Sequence, residues 1–279
     1  MNKPPRGVSF KYKKGWDELW LPCGKCEGCR ADQAKEWAIR CYHESTQHSK
    51  NCFLTLTYDD EHLPHDGKIH KEHLQKFFRA VRDKGYKIRY FACGEYGDQT
   101  RRPHYHAIIF GEDFKHDKIE TLGSCLSATK YNTGNNTYVS ETLHSCWVET
   151  DENKKRSTRG YIQCAEVNMA TICYVAGYAA KKIGDSDTFN LMSRRPGIGH
   201  QWLEKYKDDI KNTGQVSIEG KSYPAPKRYL DWEENYLLQV KIDRQKYVAE
   251  NERHADIRLE AKKRNLRSKR KQRGEKLLK

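Results

Sequence analysis

The chain has 279 residues and a formal net charge of +14, with 36% hydrophobic, 11% aromatic and 32% charged residues. Its Tyr, Trp and Phe content is enough for a packed core and argues against a disordered chain. It carries no apolar run of about eighteen residues that would span a membrane, and its start, MNKPPRGVSFKYKKGW, lacks the apolar stretch of a signal peptide. Charge is concentrated at one end: residues 262–279 hold ten Lys or Arg against one Glu. That pattern points to a polyanionic partner, nucleic acid before an acidic membrane, with a merely solvated tail as the plainer reading.

In chain order, a close group of cysteines precedes a helix expected at about Ala31–His43. NCFLTLTY, 51–58, is short, apolar and β-branched with alternation, and reads as a buried strand. DDEHLPHDG, 59–67, is turn chemistry. In HKEHLQKFFRAVRD, 70–83, Leu74, Phe77, Phe78 and Val81 recur at helical spacing, and Gly85 follows as a stop. Strands are expected at Lys87–Glu95 and His104–Phe110, joined by the loop GEYGDQTRRP. Residues 112–160 are polar and read as an insertion with weak structure of its own. A strand at Tyr161–Val167 and a helix at about Met169–Lys182 follow. Residues 184–226 read as loop-rich, and from Tyr229 the chain looks helical and increasingly basic. The order strand, helix, strand, strand, insertion, strand, helix predicts an α+β sheet with helices on one face.

Three constellations carry chemistry. His104 and His106 flank Tyr105 on a predicted strand, so both imidazoles project to one face about 7 Å apart. Two surface histidines are the plain alternative. Glu95 ends the preceding strand, and a hairpin would fold it back toward the histidines. Two imidazoles and a carboxylate suit Mn²⁺ or Mg²⁺ with positions open for substrate oxygens. Glu95 is equally placed to pair with Arg101 or Arg102.

Tyr174, Tyr178 and Lys181 fall at i, i+4 and i+7 of the second helix and so share a face. Core packing is the ordinary explanation for such spacing, but the small residues around them, Val175, Ala176, Gly177, Ala179 and Ala180, are the ones suited to close packing. A phenol is a weak nucleophile until a metal polarises the phosphate it attacks.

Cys23, Cys26 and Cys29 form C-x₂-C-x₂-C, close enough to hold one Zn²⁺ with a fourth ligand. Cys41 on the following helix is the candidate for that ligand and His43 the alternative. The spacing also admits an iron–sulfur cluster, and unligated thiols are the plain reading. Cys52, Cys93, Cys164 and Cys173 read as small core residues. In the tail, Lys262, Lys263, Arg264, Arg267, Lys269, Arg270, Lys271 and Arg273 are the candidates for DNA phosphate contacts.

FLTLTY, RPHYHAIIFG and YVAGYAAKK occur in that order, together with LPCGKCEGCR, WAIRCYHE, CGEYGD and MSRRPGIG at 192–199. Over roughly residues 20–200 this combination resembles the HUH endonuclease superfamily, and within it the replication initiation proteins of microviruses, small single-stranded DNA phages of the gokushovirus type. The resemblance implies a ferredoxin/RRM-like antiparallel sheet with helices packed on it, flanked by the Cys-rich N-terminal segment and the basic helical tail. It implies that His104, His106 and Glu95 bind the metal and that Tyr174 and Tyr178 are nucleophiles nicking single-stranded DNA at an origin. The products would be a 5′-phosphotyrosyl link and a 3′-OH that primes rolling-circle synthesis, with later rejoining. Such relatives carry a Lys or Arg three residues after each Tyr. Here Tyr178 keeps Lys181 while Tyr174 has Gly177, which assigns the first cut to Tyr178.

On this reading the chain divides into a Cys-rich segment and helix at 1–50, an HUH nicking domain at 51–183 with its insertion at about 112–160, a loop-rich extension at 184–228, and a basic helical tail at 229–279. Expected partners are single-stranded and origin DNA and the host's helicase and polymerase, in the cytoplasm of a bacterial host. The competing readings are a plasmid initiator, relaxase or transposase with the same site, and a non-catalytic zinc- and nucleic-acid-binding protein.

Overall fold

A computed structural model of the chain describes residues 7–10, 19–24, 26–97, 100–120, 137–181, 188–231 and, near the C-terminus, 257, 260, 261, 264, 265 and 268. Strands β1 (Gly7–Phe10) and β2 (Leu19–Pro22) pair antiparallel. Helix α1 (Glu27–Ser45), strand β3 (Asn51–Tyr58), helix α2 (Lys71–Asp83) and strands β4 (Arg89–Tyr96) and β5 (Pro103–Phe110) follow. Next come β6 (Lys118–Glu120), β7 (Tyr138–Ser140), a one-turn helix α3 (Glu141–His144) and the pair β8 (Val148–Thr150) and β9 (Arg156–Thr158). Strand β10 (Gly160–Glu166), helix α4 (Met169–Lys181), strand β11 (Asn190–Met192) and helix α5 (His200–Thr213) lead to the hairpin β12 (Gln215–Ile218) and β13 (Lys221–Pro224) and the short α6 (Lys227–Leu230).

Seven strands form one antiparallel sheet in the order β11-β4-β5-β3-β10-β7-β6. The alternation of NCFLTLTY is realised residue by residue. Cys52, Leu54, Leu56 and Tyr58 are buried on one face, while the residues between them turn to the other. On the first face α2 lays down Leu74, Phe77, Phe78 and Val81, each with at most 1% of its surface exposed. Burial of each such side chain stabilises by about 1.5–3 kcal/mol. The helix ends as its sequence predicts, with Gly85 at φ +93° just beyond it, in the left-handed region that glycine occupies without strain.

The opposite face carries α1 and α4, packed on Phe91, Cys93, Ile108 and Phe110. Helices therefore cover both faces, not one. β5 lies between β4 and β3 in the middle of the sheet, and its apolar run Ala107–Phe110 is buried throughout.

Two expectations about the flanking segments are corrected. The described part of 112–160 is not weakly structured. β6 and β7 extend the main sheet, and Phe114, Leu143, Cys146 and Trp147 enter the core beneath α2. Polar composition misled here because a few large apolar residues, spaced by turns, carry all of the burial. Likewise 184–226 is not loop-rich: β11 forms the sheet edge beside β4, and α5 with β12, β13 and α6 builds a third apolar cluster around Leu203, Ile210, Val216, Ile218 and Tyr229.

Candidate active site

Register assembles the centre of the α4 face. Glu95 of β4 stands directly opposite His104 of β5, while His106 is flanked by Cys93 on β4 and Thr55 on β3. Directly opposed residues of an antiparallel pair share a face, so Glu95, His104, His106, Thr55 and Thr57 project together. Glu95 and His106 are both 4% exposed. His106 Nε2 donates to Glu95 Oε1 at 2.7 Å, and Thr55 Oγ1 lies 3.1 Å from Nδ1, so a single tautomer satisfies both ring nitrogens. His104 Nδ1 donates to the Arg102 carbonyl at 2.6 Å, which leaves the Nε2 lone pair as its ligand atom. Burial, reinforced by His106, holds the His104 pKa below its ordinary value and keeps the ring neutral.

The second oxygen of the carboxylate, Glu95 Oε2, is buried without a hydrogen-bond partner. Arg102 does not supply one: it binds Asp60 Oδ1 at 2.5 Å and the Tyr58 carbonyl at 3.0 Å. Arg101 lies over the Tyr96 ring, 4.9 Å from its centroid. The reading of Glu95 as partner of these arginines is thereby replaced by its bond to His106.

Helix α4 buries Ile172, Val175, Ala176 and Ala179 against the sheet. Its small residues let the backbone approach closely. Tyr174 and Tyr178 stay half-buried and reach the histidine. The Tyr174 ring meets His106 edge-on at 5.0 Å and 83°, Tyr178 lies nearly parallel to it at 5.7 Å and 20°, and the two phenol rings are 4.7 Å apart. Phe53 closes the same cluster, 6.0 Å from His106. Lys181 is the last residue of α4, three past Tyr178 and so on its side of the helix. The three metal-ligand candidates share a face without fully converging. Among the described residues, the one group of three His, Cys, Asp or Glu ligand atoms within 4.8 Å of one another is Cys23, Cys26 and Cys29.

Those three sulfurs cluster where β2 leads into α1, and burial with the neighbouring Cys26 pushes the Cys29 thiol up to about 11. Cys41 is not their fourth ligand. It lies twelve residues past Cys29, about 18 Å along α1, fully buried against the sheet, where burial drives its thiol pKa far up. His43, the alternative, stacks on Trp202 at 3.5 Å and bonds the Tyr229 hydroxyl at 3.1 Å. Cys52, Cys93 and Cys164 are core residues as expected, but Cys173 is exposed, because it faces away from the sheet on α4. In the tail, Arg264 is helical and exposed, whereas Lys262, Lys263, Arg267, Lys269, Arg270, Lys271 and Arg273 lie outside the described residues.

Two contributors went unread in the sequence. Thr55 orients His106, and the alternation of FLTLTY, which puts Thr55 and Thr57 on the face away from Leu54 and Leu56, was the available signal. Glu44 organises MSRRPGIG. Its buried carboxylate takes bonds from Arg89 and from the Gly199 N–H at 2.6 Å, while Arg89 also reaches the Pro196 carbonyl at 2.8 Å. Burial raises the Glu44 pKa, but the bonds from His48, Arg89 and Gly199 outweigh it and the net direction is down. Gly199, at φ +79°, is required here because a Cβ would stand 2.2 Å from the Tyr229 hydroxyl. No local pattern announces a contact spanning 155 residues.

Comparison with known proteins agrees with the motif reading. Residues 51–183 match the family model for the replication-associated protein ORF2. The chain is 34% identical over 244 residues to the replication-associated protein VP4 of Bdellovibrio phage phiMH2K, covering 80% of this chain and 70% of that protein. It is 28% identical to the replication-associated protein ORF2 of Spiroplasma virus 4, covering 82% and 74%, and 31% identical to the replication-associated protein ORF4 of Chlamydia phage 1, covering 76% and 53%. No solved structure matches. With its histidine-bearing central strand, its tyrosine helix and these relatives, the chain belongs to the ORF2 family of phage replication-associated proteins and is a replication initiator of the microvirus type.

Proposed function

We propose that this initiator acts by nicking single-stranded origin DNA through a tyrosine. Tyr178 Oη attacks a phosphodiester phosphorus, the bond from phosphorus to the 3′ oxygen breaks, and the phenolic proton ends on that oxygen. The products are a 5′-phosphotyrosyl link and a 3′-OH primer. One phosphodiester replaces another, so no oxidant or nucleotide is consumed. The observation that carries the reading is the approach of both phenol rings to His106, itself bonded to Glu95.

His104, His106 and Glu95 are the residues that would hold a divalent cation, and their mixed nitrogen and oxygen donors fit Mn²⁺ or Mg²⁺. The buried, unpartnered Glu95 Oε2 supports that fit, since such an atom is costly unless something pairs with it. When bound, the cation polarises the scissile phosphate. Thr55 fixes the His106 ring, and Lys181, on the helix face of Tyr178, favours the phenolate by charge. Tyr174, lacking such a lysine, serves the second transfer that rejoins the genome.

The partners that follow are single-stranded and origin DNA and the host helicase and polymerase, met in the cytoplasm of an infected bacterium. The basic tail adds affinity independent of sequence. Among the described residues no helix is long and apolar enough to cross a membrane. The test is incubation of the full chain with single strands from the origin region and Mn²⁺, followed by a denaturing gel. The expected result is a covalent adduct, lost in Tyr178→Phe and retained in Tyr174→Phe, which instead loses joined product. DNA binding with no adduct under any divalent ion would refute nicking and favour a non-catalytic binding role.

A further inference from the structure

We propose that Cys23, Cys26 and Cys29 form a metal site of the zinc class, separate from the nicking centre and standing whether or not that centre cuts DNA. The sulfur geometry carries it. Tetrahedral zinc with bonds of about 2.3 Å sets its sulfurs about 3.8 Å apart. Here Cys23 and Cys29 are 4.0 Å apart and Cys26 and Cys29 3.4 Å. All three ligand atoms lie within 4.8 Å of one another. These separations are far longer than the roughly 2.05 Å of a disulfide. The Cys26 backbone N–H donates to Cys23 Sγ at 3.3 Å, a bond that steadies the sulfur as a thiolate ligand.

Helix capping does not explain these residues. Cys26 occupies the N-cap position of α1, where Ser, Thr, Asp or Asn usually accepts from the first-turn amides, yet its side chain makes no capping bond. Its sulfur turns to Cys29 instead. The positive end of α1 favours thiolate there. On binding, each thiol releases its proton to solvent as its sulfur–metal bond forms, and a water completes the fourth position. The ion ties the end of β2 to the first turn of α1, the helix that packs along the tyrosine helix α4.

The test reads individual thiols in the unmutated full chain, so it does not depend on a variant folding. The reduced protein is alkylated with iodoacetamide with and without zinc chloride, and modification at each cysteine is followed by peptide mass spectrometry. At zinc a hundred times its Kd, alkylation of Cys23, Cys26 and Cys29 should slow about a hundredfold, while exposed Cys173 reacts equally in both samples. Elemental analysis of the zinc-loaded chain should find about one ion held by these thiols. Equal alkylation of the three with and without zinc, or slowing shared with Cys173, would overturn the site.

Discussion

Replacing Glu95 by Gln should stabilise the protein in manganese-free buffer and make it less stable than the native chain once manganese is added. Glutamine is nearly isosteric, and its Oε1 still accepts from His106 Nε2, now 2.7 Å from the carboxylate. What changes is the second atom: a buried carboxylate oxygen with no partner becomes part of a neutral amide. An unsatisfied buried polar atom costs about 1–3 kcal/mol, more when charged. At about 2–4 °C per kcal/mol for a chain of this size, relief of that cost should raise Tm by roughly 2–12 °C. Manganese reverses the order. At a hundred times its Kd it should stabilise the native chain by about 2.7 kcal/mol, and the Gln variant, short of its anionic ligand, by far less. Manganese is the right probe because it prefers oxygen and nitrogen donors to the thiolates of the cysteine group. Paired thermal melts with and without Mn²⁺, together with the nicking assay, decide the matter. A Gln variant that melts lower in manganese-free buffer, or gains as much as the native chain from the ion, would refute the assignment of Glu95.

Other perturbations probe the rest of the molecule. Trp147→Ala should cost about 3–5 kcal/mol, since the indole is fully buried and donates to the Thr57 carbonyl at 3.0 Å; chemical denaturation measures this, and a loss under about 1 kcal/mol would place Trp147 outside the core. His43 is held down to about 3 by burial, so between pH 6.5 and 3 the unfolded chain binds a proton there that the folded chain does not. Stability should therefore fall as pH drops through that window, by about 1.4 kcal/mol per pH unit from this residue alone. His43→Phe should shrink the slope measured between about pH 6 and 5 by close to one proton, and an unchanged slope would contradict a neutral buried ring. Deleting residues 262–279 should weaken DNA binding and flatten its dependence on salt while leaving the cleaved phosphodiester unchanged; a shifted cut would make the tail a sequence reader.

The local elements were legible because their signals are local. NCFLTLTY alternates with the period of a strand, HKEHLQKFFRAVRD repeats with the period of a helix, and HYH places two imidazoles on one face wherever the strand lies. The motifs LPCGKCEGCR, RPHYHAIIFG and YVAGYAAKK likewise named the chemistry in advance. Pairing and packing were beyond such signals. That Glu95 would stand opposite His104 and bond His106 depends on the register of β4 against β5, and a slip of one residue would have turned it to the α2 face. Cys41 follows the cysteine motif closely in sequence, yet the straight rise of α1 carries it into the core and away from the cluster. Trp147 and Glu44 were hidden for the same reason. Their partners, Thr57 and Gly199, lie 90 and 155 residues away in the chain. Periodicity fixes which face a residue shares with its neighbours, and only the closing of the sheet and its two helical layers decides what that face meets.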